Sequence, residues 1–140
     1  MSADNDISDV GPVAAFTALS ENPDAVLIDV RTDVEWQHVG IPSLPESNSN
    51  LHFISWQQTP DMRINGSFIE DMAAAGVSTT APIYFLCRSG VRSRAAAIAA
   101  TSAGYGPCYN VAEGFEGMAD PDGNRHGGWQ GNRLSESKPA

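Results

Sequence analysis

The chain has 140 residues, 41% of them hydrophobic, and 17 acids against 8 lysines and arginines give a formal net charge of −9. That length fits one domain with an ordinary hydrophobic core, and the acidic balance argues against nucleic acid or an anionic membrane surface as a partner, since both reward a basic face. Two cysteines are too few for a disulfide framework, and no C-x-x-C or His-rich spacing suggests zinc or another metal.

Residues 1–5 and the tail 132–140 are polar and are expected to be flexible, leaving residues 6–131 as a single domain. The opening MSADNDISDVGP is acidic where a secretory leader would be basic and then apolar, and no apolar run approaches the roughly 20 residues of a membrane span. A cytoplasmic protein away from the membrane is expected. DISDV reads as a short first strand. PVAAFTALSEN follows as a helix with Pro12 in its first turn and Val13, Phe16 and Leu19 on one stripe. AVLIDV, residues 25–30, suits a strand buried on both faces of a parallel sheet. HFISW, residues 52–56, predicts a weaker edge strand, reached through the Pro- and Ser-rich IPSLPESNSN.

SFIEDMAAAG carries a cap-like Ser67, Glu70 three residues on and Gly76 as a stop, which predicts a capped helix. PIYFLC is the second fully buried strand, with Cys87 at its carboxyl end. VRSRAAAIAATSAG predicts a helix closed by Gly104, CYNV a short last strand, and DPDGNRHGGWQG a surface loop. Strands alternating with helices indicate an α/β domain with a mostly parallel sheet.

CRSGVRS, residues 87–93, stands where a buried strand gives way to a helix, and in open α/β sheets ligands bind beyond the carboxyl ends of the strands. Gly90 lets the backbone curl so that successive amides converge on one point as an anion nest. The following helix adds the positive end of its dipole. With Arg88, Arg92 and Arg94 close by, this setting favours the thiolate and makes Cys87 a nucleophile. Arg92 can fork onto an oxyanion through two charge-assisted bonds. A cysteine ending a buried strand is ordinarily an inert small hydrophobe. That reading holds for Cys108, whereas Gly90 and the adjoining bases set it aside for Cys87.

His38 in a helical segment, His52 in the edge strand and His126 in a loop offer no evident base for a Cys–His pair. Asp29, Arg31 and Glu35 begin at the carboxyl end of the other buried strand and are read as an ion-pair network, with Asp29 and Arg31 as crevice wall. Trp36, Trp56 and Trp129 are packing anchors.

LIDVRTDVEW, YFLCRSGVRSRAAA and YNVAEGFEG, in this order and spacing, resemble a single-domain rhodanese of the rhodanese-like sulfurtransferase superfamily, over residues 7–131. The resemblance implies a three-layer α/β sandwich whose five-stranded, mostly parallel sheet runs 1-5-4-2-3 with helices on both faces. It implies that Cys87 is the catalytic, sulfur-carrying cysteine, that Arg88, Ser89, Gly90, Val91, Arg92 and Ser93 form the substrate- and persulfide-binding loop, and that Asp29 and Arg31 match the family's DVR signature. Cys87 through Arg92 makes six residues, the loop size associated with sulfur transfer; phosphatases and arsenate reductases on this fold carry one more.

The implied activity is that of a thiosulfate sulfurtransferase needing no cofactor or metal. Its partners would be a small sulfur-containing anion and a thiol or cyanide acceptor, or a protein sulfur donor or acceptor. The alternatives are an arsenate reductase or phosphatase on the same fold, and a non-catalytic sulfur-carrier or interaction module. One departure stands out: the family often has Gly-His where this chain has Val39-Gly40, so no role for that histidine carries over.

Overall fold

The computed structural model describes residues 7–132, 134 and 136–137. Five strands form its central sheet: β1 (Ser8–Val10), β2 (Val26–Asp29), β3 (Leu51–Phe53), β4 (Ile83–Leu86) and β5 (Cys108–Val111). All neighbours pair in parallel, in the order β1-β5-β4-β2-β3, as the resemblance implies. The helices are α1 (Pro12–Glu21), α2 (Asp33–His38), α3 (Phe68–Ala74), α4 (Val91–Ser102) and the single turn α5 (Gly128–Gly131).

Every residue of β2 and β4 is buried, because each strand lies between two others and beneath helices on both faces. The period of two then sorts the side chains. Val26, Ile28, Val30, Ile83, Phe85, Cys87 and Cys108 pack with Phe68 and Met72 of α3 and with Ala96, Ala97 and Ala100 of α4. Ala25, Leu27, Tyr84, Leu86 and Val111 pack on the other face with Ala15 and Leu19 of α1 and Trp129 of α5. Alanines at the α4 contact let that helix lie close to the sheet. The same alternation places Cys87 and Asn110 on the α4 face.

Several elements differ from their sequence expectation. Val13 is 51% exposed, and α1 instead buries Pro12, Ala15 and Leu19, with Phe16 edge-on to Trp129 at 5.7 Å. The edge strand begins at Leu51 and ends at Phe53, after which Ile54 and Trp56 still donate to Asp29 and Val30 carbonyls. Ser67 makes no side-chain cap on α3. Asn65 does the capping work there, accepting from Ser67 N–H and donating to Asp71.

The stretch DPDGNRHGGWQG is more ordered than a surface loop. Arg125–His126 pairs with Met118–Ala119 as an antiparallel ribbon, and α5 then drives Trp129 fully into the core. Trp36 and Trp56 also pack on rings, those of Phe53 and Phe68, each at 5.2 Å. Past residue 131, Leu134 packs against the α1-side core and Glu136–Ser137 pairs antiparallel with Ile41–Pro42, a bridge that the polar tail gave no sign of. Residues 1–5 and 138–140, expected to be flexible, lie outside the described residues.

Candidate active site

Cys87 directly follows β4, and Gly90 caps the 12-residue α4 from a left-handed backbone, φ +106°. A Cβ there would meet nothing closer than 3.6 Å, so the need for glycine is conformational rather than steric. The turn carries Gly90 N–H to 3.1 Å from Cys87 Sγ. Ser93 Oγ, in the first turn of α4, lies 3.2 Å from the same sulfur. Cys87 is only 1% exposed, and Val91 at the crest of the loop is 77% exposed.

The loop is fastened from behind by the turn after β5. Phe115 N–H donates to the Cys87 carbonyl at 2.8 Å and Glu116 N–H to the Arg88 carbonyl at 3.0 Å. Glu113 and Gly114 there are left-handed, at φ +69° and +61°. A Cβ on Gly114 would stand 2.4 Å from the Cys87 carbonyl oxygen. Gly114 is thus a site-forming residue that the sequence reading passed over, although its signal stands in AEGFEG, where a close backbone approach calls for glycine. Trp129 N–H donates to the Gly114 carbonyl at 2.8 Å, and Glu113 Oε1 accepts from Gly128 N–H at 3.1 Å, so α5 buttresses the turn.

The basic cluster of the sequence is neutralised pair by pair. Arg88 faces Glu116 at 3.1 Å, Arg94 faces Asp9 at 3.1 Å, and Arg31 faces Asp29 at 2.7 Å with both side chains fully buried. Arg31 also donates to the Gly40 carbonyl and lies 4.2 Å from the centre of the Phe115 ring. The two terminal nitrogens of Arg92 reach Glu35 at 2.6 and 2.9 Å. The fork expected to meet a substrate oxyanion therefore closes on a carboxylate of α2.

Burial pushes the Glu35 carboxyl up, but the Arg92 hydrogen bond and charge, with help from Thr32, outweigh it and hold Glu35 below the ordinary carboxylate range. The Glu35 hydrogen bond correspondingly raises Arg92, against burial. Glu35 is doubly used, because with Thr32 it also closes a capping box at the start of α2. The T-D-V-E pattern of residues 32–35 carried that signal.

Among the described residues, no histidine is hydrogen-bonded to Cys87. His126 pairs with Asp120 at 2.8 Å on the ribbon, and burial lowers His52 on β3. Cys108 is buried, and burial pushes its thiol up. A hollow of about 480 Å³, lined by Asn22, Asp24, His52, Ser78 and neighbours, does not include Cys87. Among the described residues there is no cluster of metal-binding side chains, and no helix is long and apolar enough to cross a membrane.

The family model of the rhodanese-like domain matches residues 13–120. Uncharacterized protein RP600 homolog of Rickettsia rickettsii is 43% identical over 129 residues, spanning 91% of this chain and 95% of that protein. Rv0390 from M. tuberculosis superposes with a TM-score of 0.86 at 39% identity, covering 94% of this chain and 98% of its own. A polysulfide-sulfur transferase homodimer from Wolinella succinogenes has a TM-score of 0.67 at 23% identity, covering 99% and 83%, a likeness of fold.

Proposed function

This chain belongs to the rhodanese-like domain family, and on that premise we propose that it is a sulfurtransferase, moving a sulfane sulfur from an anionic donor such as thiosulfate to a nucleophilic acceptor through a persulfide on Cys87. The observation that carries this reading is the loop itself. Cys87 Sγ receives the Gly90 N–H at 3.1 Å at the amino end of a 12-residue helix, whose first amides and dipole favour an anionic sulfur.

In the first half-reaction the Cys87 thiolate attacks the outer sulfur of thiosulfate. The donor S–S bond breaks, its electron pair leaves with sulfite, and Cys87 carries a persulfide anion. In the second, cyanide or a thiolate attacks the terminal sulfur, and the electron pair of the breaking bond restores the Cys87 thiolate. The scheme balances without an external oxidant or reductant and is ping-pong in form.

The Gly90 amide and the Ser93 hydroxyl hold the sulfur, while Arg88, Ser89 and Val91 form the rim. The Arg92–Glu35 and Arg31–Asp29 pairs hold the frame, the latter fully buried behind the crevice rather than lining it as expected. Near-complete burial of Cys87 suits a slim donor that presents a single sulfur atom, and the six-residue loop weighs against a tetrahedral arsenate or phosphate ester. An acidic chain with two free, buried cysteines fits a reducing cytoplasm. Initial rates with thiosulfate and cyanide test the proposal: parallel double-reciprocal plots support it, and aryl phosphate hydrolysis without sulfur transfer overturns it.

A further inference from the structure

Asn110, at the end of β5 and 3% exposed, touches three parts of the site at once. Its Nδ2 donates to Asp9 Oδ1 on β1 at 2.9 Å and to the Gly90 carbonyl at 3.1 Å. Both partners only accept, so the orientation of the amide is settled and Oδ1 faces Ser93 Oγ at 2.5 Å. Ser93 has one hydroxyl proton, and a carbonyl oxygen at that distance requires it. Ser93 therefore turns a lone pair, not a proton, toward Cys87 Sγ at 3.2 Å. The chain of bonds is complete when Cys87 is the thiol, donating S–H to Ser93, which donates to Asn110. An ionised Cys87 gains the Ser93 proton only when the hydroxyl swings and leaves the buried Asn110 oxygen bare.

We propose that Asn110 is a positioning residue that gates Cys87, holding the Ser93 hydroxyl away from the sulfur at rest and yielding it when the thiolate or persulfide anion forms. The thiol proton passes to solvent in that step. The charged groups on the surrounding elements are paired with one another, and the Arg92 charge also acts on Cys87 alongside the hydroxyl. Arg88, Arg92 and Arg94 on the loop and α4 face Glu116, Glu35 and Asp9; Arg31 after β2 faces Asp29; and Glu113 after β5 takes the Gly128 amide. The gate deepens the sulfur-transfer reading and rests on it only for the persulfide half.

The test is the rate of Cys87 alkylation by iodoacetamide at neutral pH, in a Cys108→Ser background, with thiolate ultraviolet absorbance as a second readout. Asn110→Leu frees the Ser93 proton for sulfur and should speed alkylation roughly tenfold. Asn110→Asp keeps the acceptor and should slow it. The Asn110→Leu gain should vanish when Ser93→Ala is added. An unchanged or slower rate in Asn110→Leu, or a gain that persists in Ser93→Ala, overturns the gate. Should Asn110→Leu not fold, Asn110→Asp decides: slowing that shrinks in the Ser93→Ala background upholds the gate, and equal slowing in both overturns it. Asn48→Ala, which removes a buried asparagine bonded to the Leu19, Asn22 and Ala25 carbonyls, controls for simple loss of stability and should leave the alkylation rate of folded protein unchanged. Alkylation requires no sulfur transfer, so a wild type that forms no persulfide would sink the functional reading while leaving the gate standing.

Discussion

Gly114→Ala puts the smallest side chain where the structure has no room for one. Its Cβ would stand 2.4 Å from the Cys87 carbonyl oxygen and 2.5 Å from the Arg88 carbonyl carbon, well inside van der Waals contact with backbone that cannot rotate away. At φ +61° the left-handed backbone itself costs about 1–2 kcal/mol for a residue with a Cβ. Relieving the overlap separates the turn from the loop, with loss of the Phe115 and Glu116 amide bonds to the Cys87 and Arg88 carbonyls, each contributing about 0.5–1.5 kcal/mol. Together these give about 2–5 kcal/mol, a large part of a typical domain's 5–15 kcal/mol. Urea unfolding measures the stability, and thiosulfate–cyanide turnover of the folded fraction reports on the loop. Both should fall. Gly66→Ala, with open space around its Cβ and no left-handed φ, should stay within about 1 kcal/mol of wild type and keep full turnover. Wild-type stability and turnover in Gly114→Ala would refute the idea that this turn fastens the Cys87 loop.

The Arg92–Glu35 pair is mostly shielded from solvent, so a double-mutant cycle of Arg92→Ala and Glu35→Ala should show coupling of about 1–2 kcal/mol in urea unfolding; additive effects would remove the clamp. Because folding depresses the Glu35 carboxyl, its stabilisation is fully present above about pH 4.5 and is lost as pH falls through the lowered folded value. The stability difference between wild type and Glu35→Gln should therefore shrink in acid, and a difference that stays constant down to pH 2 contradicts the pairing. Cys108→Ser should retain sulfur transfer within about twofold in kcat/KM, since Cys108 lies in the core away from the loop; losses matching those of Cys87→Ser would undo the assignment.

Much of the frame was legible because it is written in contiguous apolar runs. AVLIDV and PIYFLC can be buried on both faces only as central strands, and CRSGVR then has to emerge at a carboxyl end. Phase and partners were harder to read. Val13 looked as apolar as Leu19, yet Pro12 and Ala15 set the buried face of α1. Ser67 matched a cap by type, but its side chain caps nothing, and Asn65 instead takes the Ser67 amide from outside the helix. The arginines beside Cys87 looked like an open basic patch, since Glu35, 57 residues from Arg92, and Asp9, 85 residues from Arg94, meet them only through sheet order. Asn110 and Gly114 carry no chemistry of their own in YNVAEGFEG and acquire a place at the site once β5 lies beside β4.

Intact mass after incubation with thiosulfate and removal of excess donor reads the Cys87 persulfide itself. Wild type and Cys108→Ser should each gain one sulfur atom, reversed by cyanide or a thiol reductant and absent in Cys87→Ser. A sulfur adduct that survives in Cys87→Ser, or no adduct on a folded wild type, would contradict sulfur transfer through Cys87.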